Sequence, residues 1–163
     1  MPKIKTKFQL SAGGVIFREN EGIEVALIAT KGGTAWGLPK GLVDRERKEP
    51  LEEAALREVQ EETGLRGRVL ERIDKIEYWY RWQENDEPVR YHKIVYFFLI
   101  EHQGGDIRDH DFEVDEVRWF PLAEAERMAS YESEREILRK AGEILLQLAG
   151  ATTPGEDEVI QPA

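Results

Sequence analysis

Apolar positions recur along the chain in two rhythms, one of strand length and one at helical spacing, and their order predicts the architecture. Residues 8–18 (FQLSAGGVIFR) and 24–30 (EVALIAT) are apolar runs separated by a polar turn at 19–22, which predicts a hairpin. Residues 31–47 read as a loop punctuated by Gly32, Gly33, Gly37, Pro39 and Gly41. A helix follows from about Pro50 to Thr63, with proline at its start and Gly64 as its stop. Two further strand-like runs, 69–82 and 89–102, flank a turn-rich 84–88 and predict a long hairpin. A strand over 116–121 and a short helix over 122–129 come next. A final helix over 133–148 carries Ile137, Ala141, Ile144, Leu145 and Leu148 at helical spacing. This order predicts an α/β fold, a mixed sheet covered by helices, in a single domain over residues 1–149. The polar stretch 150–163 is expected to be a disordered tail.

Composition narrows the chemistry. With 40% apolar and 34% charged residues in 163, the chain reads as a soluble globular domain. No apolar run approaches the roughly 20 residues that span a bilayer. The basic start, residues 1–7, is not followed by a signal-type apolar core, so no membrane partner and a cytoplasmic location are expected. Cysteine is absent, which excludes a disulfide scaffold, a thiolate zinc site and a cysteine nucleophile. A metal would have to be held by oxygen or imidazole, which favours a hard ion such as magnesium or manganese. A formal net charge of −10 argues against duplex nucleic acid as a partner. It leaves room for a small polyphosphate, because a metal and a few lysines can reverse the field inside one cleft.

The segment 51–65, LEEAALREVQEETGL, is the richest. On a wheel of about 100° per residue with Glu58 at zero, Leu51, Ala55, Val59 and Leu56 fall between roughly 20° and 160°, the expected buried stripe. Glu61 falls near ~300° and Glu62 near ~40°, so the three glutamates share an arc of about 100° at the stripe's edge. One reading is a solvated acidic face. Against it, carboxylates at i, i+3 and i+4 repel one another by a few tenths of a kcal/mol per pair, about the size of a surface ion pair. Glu62 also points where an apolar residue would be expected. A divalent cation would relieve both. Glu52 falls in the stripe as well, but in the first turn, where an acid suits the helix dipole.

The run Arg57-Glu58-Val59-Gln60-Glu61-Glu62-Thr63-Gly64-Leu65 resembles the second half of the Nudix box at every specified position, and Glu49 stands seven intervening residues before Arg57 as that box requires. Between Gly41 and Glu49 there are seven intervening residues where the box has five, so Arg45-Glu46-Arg47-Lys48 is read as a two-residue loop insertion. Trp36-Gly37-Leu38-Pro39-Lys40-Gly41 and Ser11-Ala12-Gly13-Gly14-Val15 are similar to the segments that precede the box in many members. The resemblance implies the Nudix fold, an α/β/α sandwich with a mixed sheet, and metal-dependent hydrolysis of a pyrophosphate linkage in a nucleoside diphosphate derivative. It implies that Glu58, Glu61 and Glu62 hold one or more Mg2+ ions, Mn2+ being a possible substitute. It also implies that a backbone carbonyl of Lys40 or Gly41 completes the shell, that Arg57 braces the carboxylates, and that Glu49 and Gly64 are structural. The chemistry agrees with the residues: pyrophosphate hydrolysis needs shielded oxygens, an oriented water and a stabilised leaving phosphate.

Substrate choice rests on flanking residues. In 76–82 (IEYWYRW), Tyr78, Tyr80 and Trp82 share one strand face and Trp79 the other, either as sheet packing or as a stacking platform for a base. Lys93 lies in an otherwise apolar strand, as an inward phosphate contact or a solvated strand end. This block resembles the diadenosine-tetraphosphate hydrolase branch of the family. That resemblance implies base contact by Tyr78 or Tyr80 and by Tyr131, phosphate contact by Lys40 and Lys93, and a loop acid at Glu113, or Glu116, acting on metal or water. His92, His102 and His110 show no ligand spacing. The expected activity is asymmetrical bis(5'-nucleosyl)-tetraphosphate hydrolysis to ATP and AMP. The alternatives are an ADP-sugar, a nucleoside triphosphate, a capped RNA end or an inositol pyrophosphate as substrate, and a non-catalytic nucleotide-binding module.

Overall fold

The computed structural model describes residues 4–151. The strands are β1 Lys5–Glu19, β2 Ile23–Thr30, β3 Ala35–Gly37, β4 Lys40–Leu42, β5 Leu65–Glu84, β6 Glu87–Gly105 and β7 Glu116–Pro121. The helices are α1 Leu51–Thr63, α2 Leu122–Met128 and α3 Glu132–Ala151, with a 3-10 turn at Ile107–Asp109. They form one mixed sheet in the order β3-β2-β1-β6-β5, with β4 paired to β1 and β7 to β2.

β1 is central, which accounts for its continuous apolar run. It pairs antiparallel with β2 from Phe17↔Val25 and parallel with β6 from Lys5↔Val89 to Phe17↔Glu101. Ser11 to Phe17 are therefore buried on both faces. Successive side chains divide between two cores. Val15 and Phe17 join Leu27, Phe97, Leu99, Ile137, Leu138 and Ala141 beneath α2 and α3. Ala12 and Ile16 join Ala55, Val59, Phe98 and Ile100 beneath α1. Helices thus cover both faces, as the expected α/β/α layering requires. The β5–β6 hairpin closes through Asn85 and Asp86, both with positive φ (51° and 64°), as a tight two-residue hairpin turn demands.

Some expectations are corrected. The glycine-punctuated stretch 31–47 is not loop throughout: β3 and β4 lie in it, each three residues long and held by pairing to β2 and β1 rather than by an apolar pattern of their own. The final helix begins one residue early and runs on through Gly150 to Ala151. Residues 152–163 of the expected tail lie outside the described residues. No described helix is long and apolar enough to cross a membrane.

α1 begins after Pro50 and ends at Gly64, which takes φ 79°. A Cβ at Gly64 would stand 2.2 Å from the Asp106 carbonyl oxygen, so the position needs glycine on both counts. The buried residues of α1 are Ala54, Ala55, Val59 and Thr63. On the same wheel they span an arc from roughly 320° to 140°, rotated from the predicted stripe. Glu58 and Glu62 fall inside that arc; Glu52 does too, at ~120°, but it lies in the first turn and is exposed.

Candidate active site

The site is built where the segment 36–42 passes between α1 and the start of α3. Pro39 presses against β1: its carbonyl accepts the Gly14 N–H at 3.2 Å, and a Cβ at Gly13 would come within 2.3 Å of that oxygen. The segment then lies on the glutamates. Lys40 N–H donates to Glu62 Oε1 at 2.8 Å. The Glu58 carboxylate rests on Gly41 so closely that a Cβ there would stand 2.0 Å from Glu58 Oε2.

Arg57 fastens the arrangement. Its Nε and Nη2 fork onto Glu49 at 2.8 and 2.9 Å, Nη1 donates to Glu58 at 2.8 Å, and Nη2 reaches the Leu42 carbonyl at 3.0 Å. Nη1 also lies 3.3 Å from Glu61. The hydrogen bond from Arg57 holds the Glu49 carboxyl below the usual carboxylate range. The longer loop is closed on the same glutamate, since Glu49 Oε1 accepts Asp44 N–H at 2.9 Å and Glu49 N–H donates to the Asp44 carbonyl at 3.0 Å. The insertion therefore leaves the fork between Glu49 and Arg57 intact.

Burial pushes the Glu62 carboxyl up to about 7, against the opposing pull of the Lys40 N–H and ammonium. Burial likewise raises Glu58, with Arg57 pulling the other way. Two half-buried acids of this kind, beside an exposed Glu61, form an all-oxygen donor set that suits a hard divalent cation. Their rotamers serve other partners: Glu58 faces Arg57 and Gly41, Glu61 turns outward, and Glu62 faces Lys40 N–H. Among the described residues no three acidic or histidine side chains converge on one point. The donors fit such an ion by chemistry and by their shared helix edge, and holding it would require Glu58 and Glu61 to turn.

Two adjoining cavities open beside this edge. One, of about 260 Å³, is lined by Ser11, Lys40, Gly41, Glu62, Lys93 and Tyr131 among others. The other, of about 510 Å³, is lined by Ile76, Tyr78, Val95, Tyr131 and Ser133. Lys40, Tyr131 and Glu134 line both. Tyr78 and Tyr131 are each partly exposed, at 40% and 45%. Burial, and then the neighbouring Lys40, push the Lys93 ammonium down, and it forms no hydrogen bond or ion pair among the described residues. A larger cavity of about 790 Å³, between α2, α3 and the sheet, is mostly apolar and contains none of the expected site residues.

The structure thus brings Lys40, Gly41, Glu62, Tyr78, Lys93 and Tyr131 together beside Glu58. It does not bring Tyr80 or Glu113. The Tyr80 hydroxyl donates to Gln9 at 2.8 Å and its ring stacks on Tyr91, one pleat further from the cavities. Glu113 is exposed and lines neither cavity, because its loop is tied down through Asp111. Asp111 donates its N–H to the Glu61 carbonyl at 2.9 Å, and its charge helps to raise Glu62. Glu116 pairs with Arg118. His92 stacks on Trp79 and meets Glu77, which accounts for it without a ligand role.

Sequence reading missed Asp111 and Glu134. Glu134 is 4% exposed; it accepts Leu38 N–H at 2.6 Å and the Lys40 ammonium at 2.9 Å. Burial alone would lower the Lys40 ammonium, but the charge and hydrogen bond of Glu134, with the charges of Glu62 and Tyr78 after it, hold it above its usual value. The signal was available: Glu134 precedes the buried Ile137, Leu138 and Ala141 at i+3, i+4 and i+7, the same anomaly that singled out Glu62. Asp111 had no such pattern, since it sits in an irregular loop.

Similarity to known proteins extends over most of the chain. The chain is 35% identical over 153 residues to the putative mutator protein MutT4 of Mycobacterium tuberculosis (strain CDC 1551 / Oshkosh), covering 90% of this chain and 59% of that protein. It is 30% identical over 149 residues to the asymmetrical bis(5'-nucleosyl)-tetraphosphatase of Rattus norvegicus, covering 83% of this chain and 94% of that one. Its fold is similar to that of a C. elegans Ap4A hydrolase binary complex, with a TM-score of 0.58 at 24% identity over 85% of this chain and 98% of the other. The NUDIX domain model matches residues 7–141, a span that holds the box glutamates, their Arg57 brace and both cavities' lysines, and the chain belongs to the NUDIX family.

Proposed function

We propose that the protein is a divalent-metal-dependent pyrophosphohydrolase whose preferred substrate is a bis(5'-nucleosyl) tetraphosphate, cleaved asymmetrically to ATP and AMP. The observation that carries this reading is the junction at Lys40. A cavity edged by Tyr78 and Tyr131 adjoins one that holds Lys93 and Glu62, so one ligand can place a base in the first and its phosphates in the second. Tyr78 and Tyr131 bind the base by stacking. Lys40 and Lys93 bind phosphate oxygens, and the unpaired Lys93 ammonium regains by this contact what it loses on burial. Glu58, Glu61 and Glu62, with the carbonyl of Lys40 or Gly41, hold the metal, taken to be Mg2+ with Mn2+ as substitute. When bound, such an ion neutralises phosphate oxygens and acidifies an attacking water. Arg57 and Glu49 keep the carboxylates oriented, and a nearby acid takes the proton from water. Asp111, beside Glu62, is better placed for that than Glu113.

A nucleoside triphosphate is the second reading, favoured by 33% identity over 72% of this chain, and 33% of the other, to the 8-oxo-(d)GTP phosphatase of Mycolicibacterium smegmatis (strain ATCC 700084 / mc(2)155). A purely nucleotide-binding module fits poorly with a complete set of box acids and an intact Arg57 fork. Incubation of the purified protein with magnesium and a panel of diadenosine tetraphosphate, ADP-ribose and nucleoside triphosphates, read by chromatography, decides among these. Formation of ATP and AMP from diadenosine tetraphosphate at the highest kcat/KM is the expected result. Cleavage of ADP-ribose alone overturns the substrate, and no cleavage of any pyrophosphate compound with magnesium or manganese overturns the enzyme.

A further inference from the structure

Four hydrogen bonds zip the segment 36–40 to the start of α3. Trp36 N–H donates to Ser130 Oγ and Ser130 N–H to the Trp36 carbonyl, each at 2.9 Å. Leu38 N–H and the Lys40 ammonium both donate to Glu134, at 2.6 and 2.9 Å. The seat is cut to fit. Gly37 lies under the carboxylate, and a Cβ there would stand 2.8 Å from Glu134 Oε1. Glu134 N–H in turn donates to the Tyr131 carbonyl at 3.1 Å, so the tyrosine at the cavity mouth and the carboxylate belong to one turn. At its other end the segment meets α1, through Lys40 N–H and Glu62 Oε1. Among the described residues Glu134 touches no cation but Lys40, and a buried acid with both acceptor oxygens in use is more than a helix needs in its first turn.

We infer that Glu134 is a positioning residue that holds the Lys40 ammonium and the Leu38–Lys40 backbone in register with Glu62, joining the tyrosine side of the cleft to the acidic helix. This rests on the reading that the cleft takes a nucleoside polyphosphate. Glu134 makes no contact with substrate in this scheme: both its oxygens are engaged by the segment it holds. Its negative charge opposes a polyanion, so removing the charge offsets, in ground-state binding, the contact that a misplaced Lys40 gives up. What is lost is the placement of Lys40, and misplacement of about 1 Å in a catalytic group costs on the order of 100-fold.

The test uses the full chain with magnesium and diadenosine tetraphosphate. Glu134→Gln keeps an acceptor for Leu38 N–H and removes the partner charge of Lys40. Its kcat should fall about 10- to 100-fold with KM unchanged or lower. In Lys40→Met, adding Glu134→Gln should cost little further, because both act through one ammonium. Gly37→Ala, which displaces the carboxylate without removing it, should show the same kcat loss and guards against misfolding of the first variant. Equal losses for Glu134→Gln with and without Lys40, or an unchanged kcat, overturn the inference. Amide exchange supplies a readout independent of turnover: in Glu134→Ala, Leu38 and Lys40 should exchange about tenfold faster or more while Val15 and Leu99 do not. If the wild type cleaves no pyrophosphate compound but this local acceleration is seen, the proposed function fails and the brace stands. If exchange at Leu38 and Lys40 is unchanged, the brace fails whatever the activity.

Discussion

The backbone N–H of Lys40 lies 2.8 Å from Glu62 Oε1, so the first residue of β4 is bonded directly to the acidic edge of α1. A buried carboxylate needs such a donor, because desolvation without one costs a few kcal/mol. The same contact fixes where Lys40 leaves the backbone and hence where its ammonium stands between the two cavities.

Glu62→Gln tests the carboxylate at that contact. The amide can still accept from Lys40 N–H, so the fold should survive with a thermal midpoint near that of the wild type. The charge that would hold a divalent ion is gone, and activity should fall by about 10²–10³-fold, about 3–4 kcal/mol of transition-state stabilisation. Steady-state kinetics beside a calorimetric melt would read both. A variant that keeps more than about a tenth of the activity would remove Glu62 from the proposed metal site.

Gly41→Ala acts on the neighbouring carboxylate. The new Cβ would overlap Glu58 Oε2, at 2.0 Å, and must push the side chain toward Arg57 or move the β4 backbone. Activity should drop at least about tenfold, with a larger loss in kcat than in KM. Wild-type kinetics in this variant would show that Glu58 need not lie on Gly41.

Arg57→Lys removes the two-pronged grip on Glu49, which a single ammonium cannot reproduce. Arg57 is partly exposed, so solvent screens the ion pairs and the expected cost in stability is only about 1 kcal/mol. Urea unfolding would measure it. A denaturation midpoint equal to that of the wild type would mean that the fork contributes nothing to folding.

The Glu49 carboxyl titrates below its ordinary value of 4.5 because Arg57 donates to it. The ionised form is favoured more in the folded chain than in the unfolded one. Its contribution is therefore fully present above the unfolded value and is lost as pH falls through the lowered folded one. Between pH 7 and roughly pH 3, Glu49→Gln should lose less stability than the wild type does. Parallel curves for the two proteins would rule this titration out.

Tyr78→Ala and Tyr131→Ala should each raise KM for diadenosine tetraphosphate about tenfold, the usual worth of one base–aromatic stack, with smaller effects on kcat. Tyr80→Phe removes only the hydrogen bond to Gln9 and should leave KM unchanged. The opposite ranking, Tyr80 above Tyr78, would move the base off the cavity and onto the next pleat.

Much of this was legible in the chain. Strand and helix order follows from apolar rhythm, and Glu62 stood out because an acid occupied an apolar position on α1. Glu134 carried the same mark on α3 and was equally readable. The wheel was less faithful in its phase: Ala54, outside the expected stripe, is buried, because the face α1 turns to the sheet depends on Ile16, Phe98 and Ile100 across it. β3 and β4 could not be read at all, since three residues have no period and gain their pairing from β1 and β2.

The sequence by itself determined the layered fold and the acidic edge of α1, because both rest on local spacing, which backbone geometry converts directly into faces. Only the tertiary structure decided which flanking residues share the cleft. It brought Tyr78 rather than Tyr80 to the cavity, Asp111 rather than Glu113 to Glu62, and Glu134 across 96 positions to Leu38. Those choices turn on one pleat of a strand, the course of a loop and the docking of a distant helix. Each depends on what the rest of the chain packs against it, and no local pattern records that.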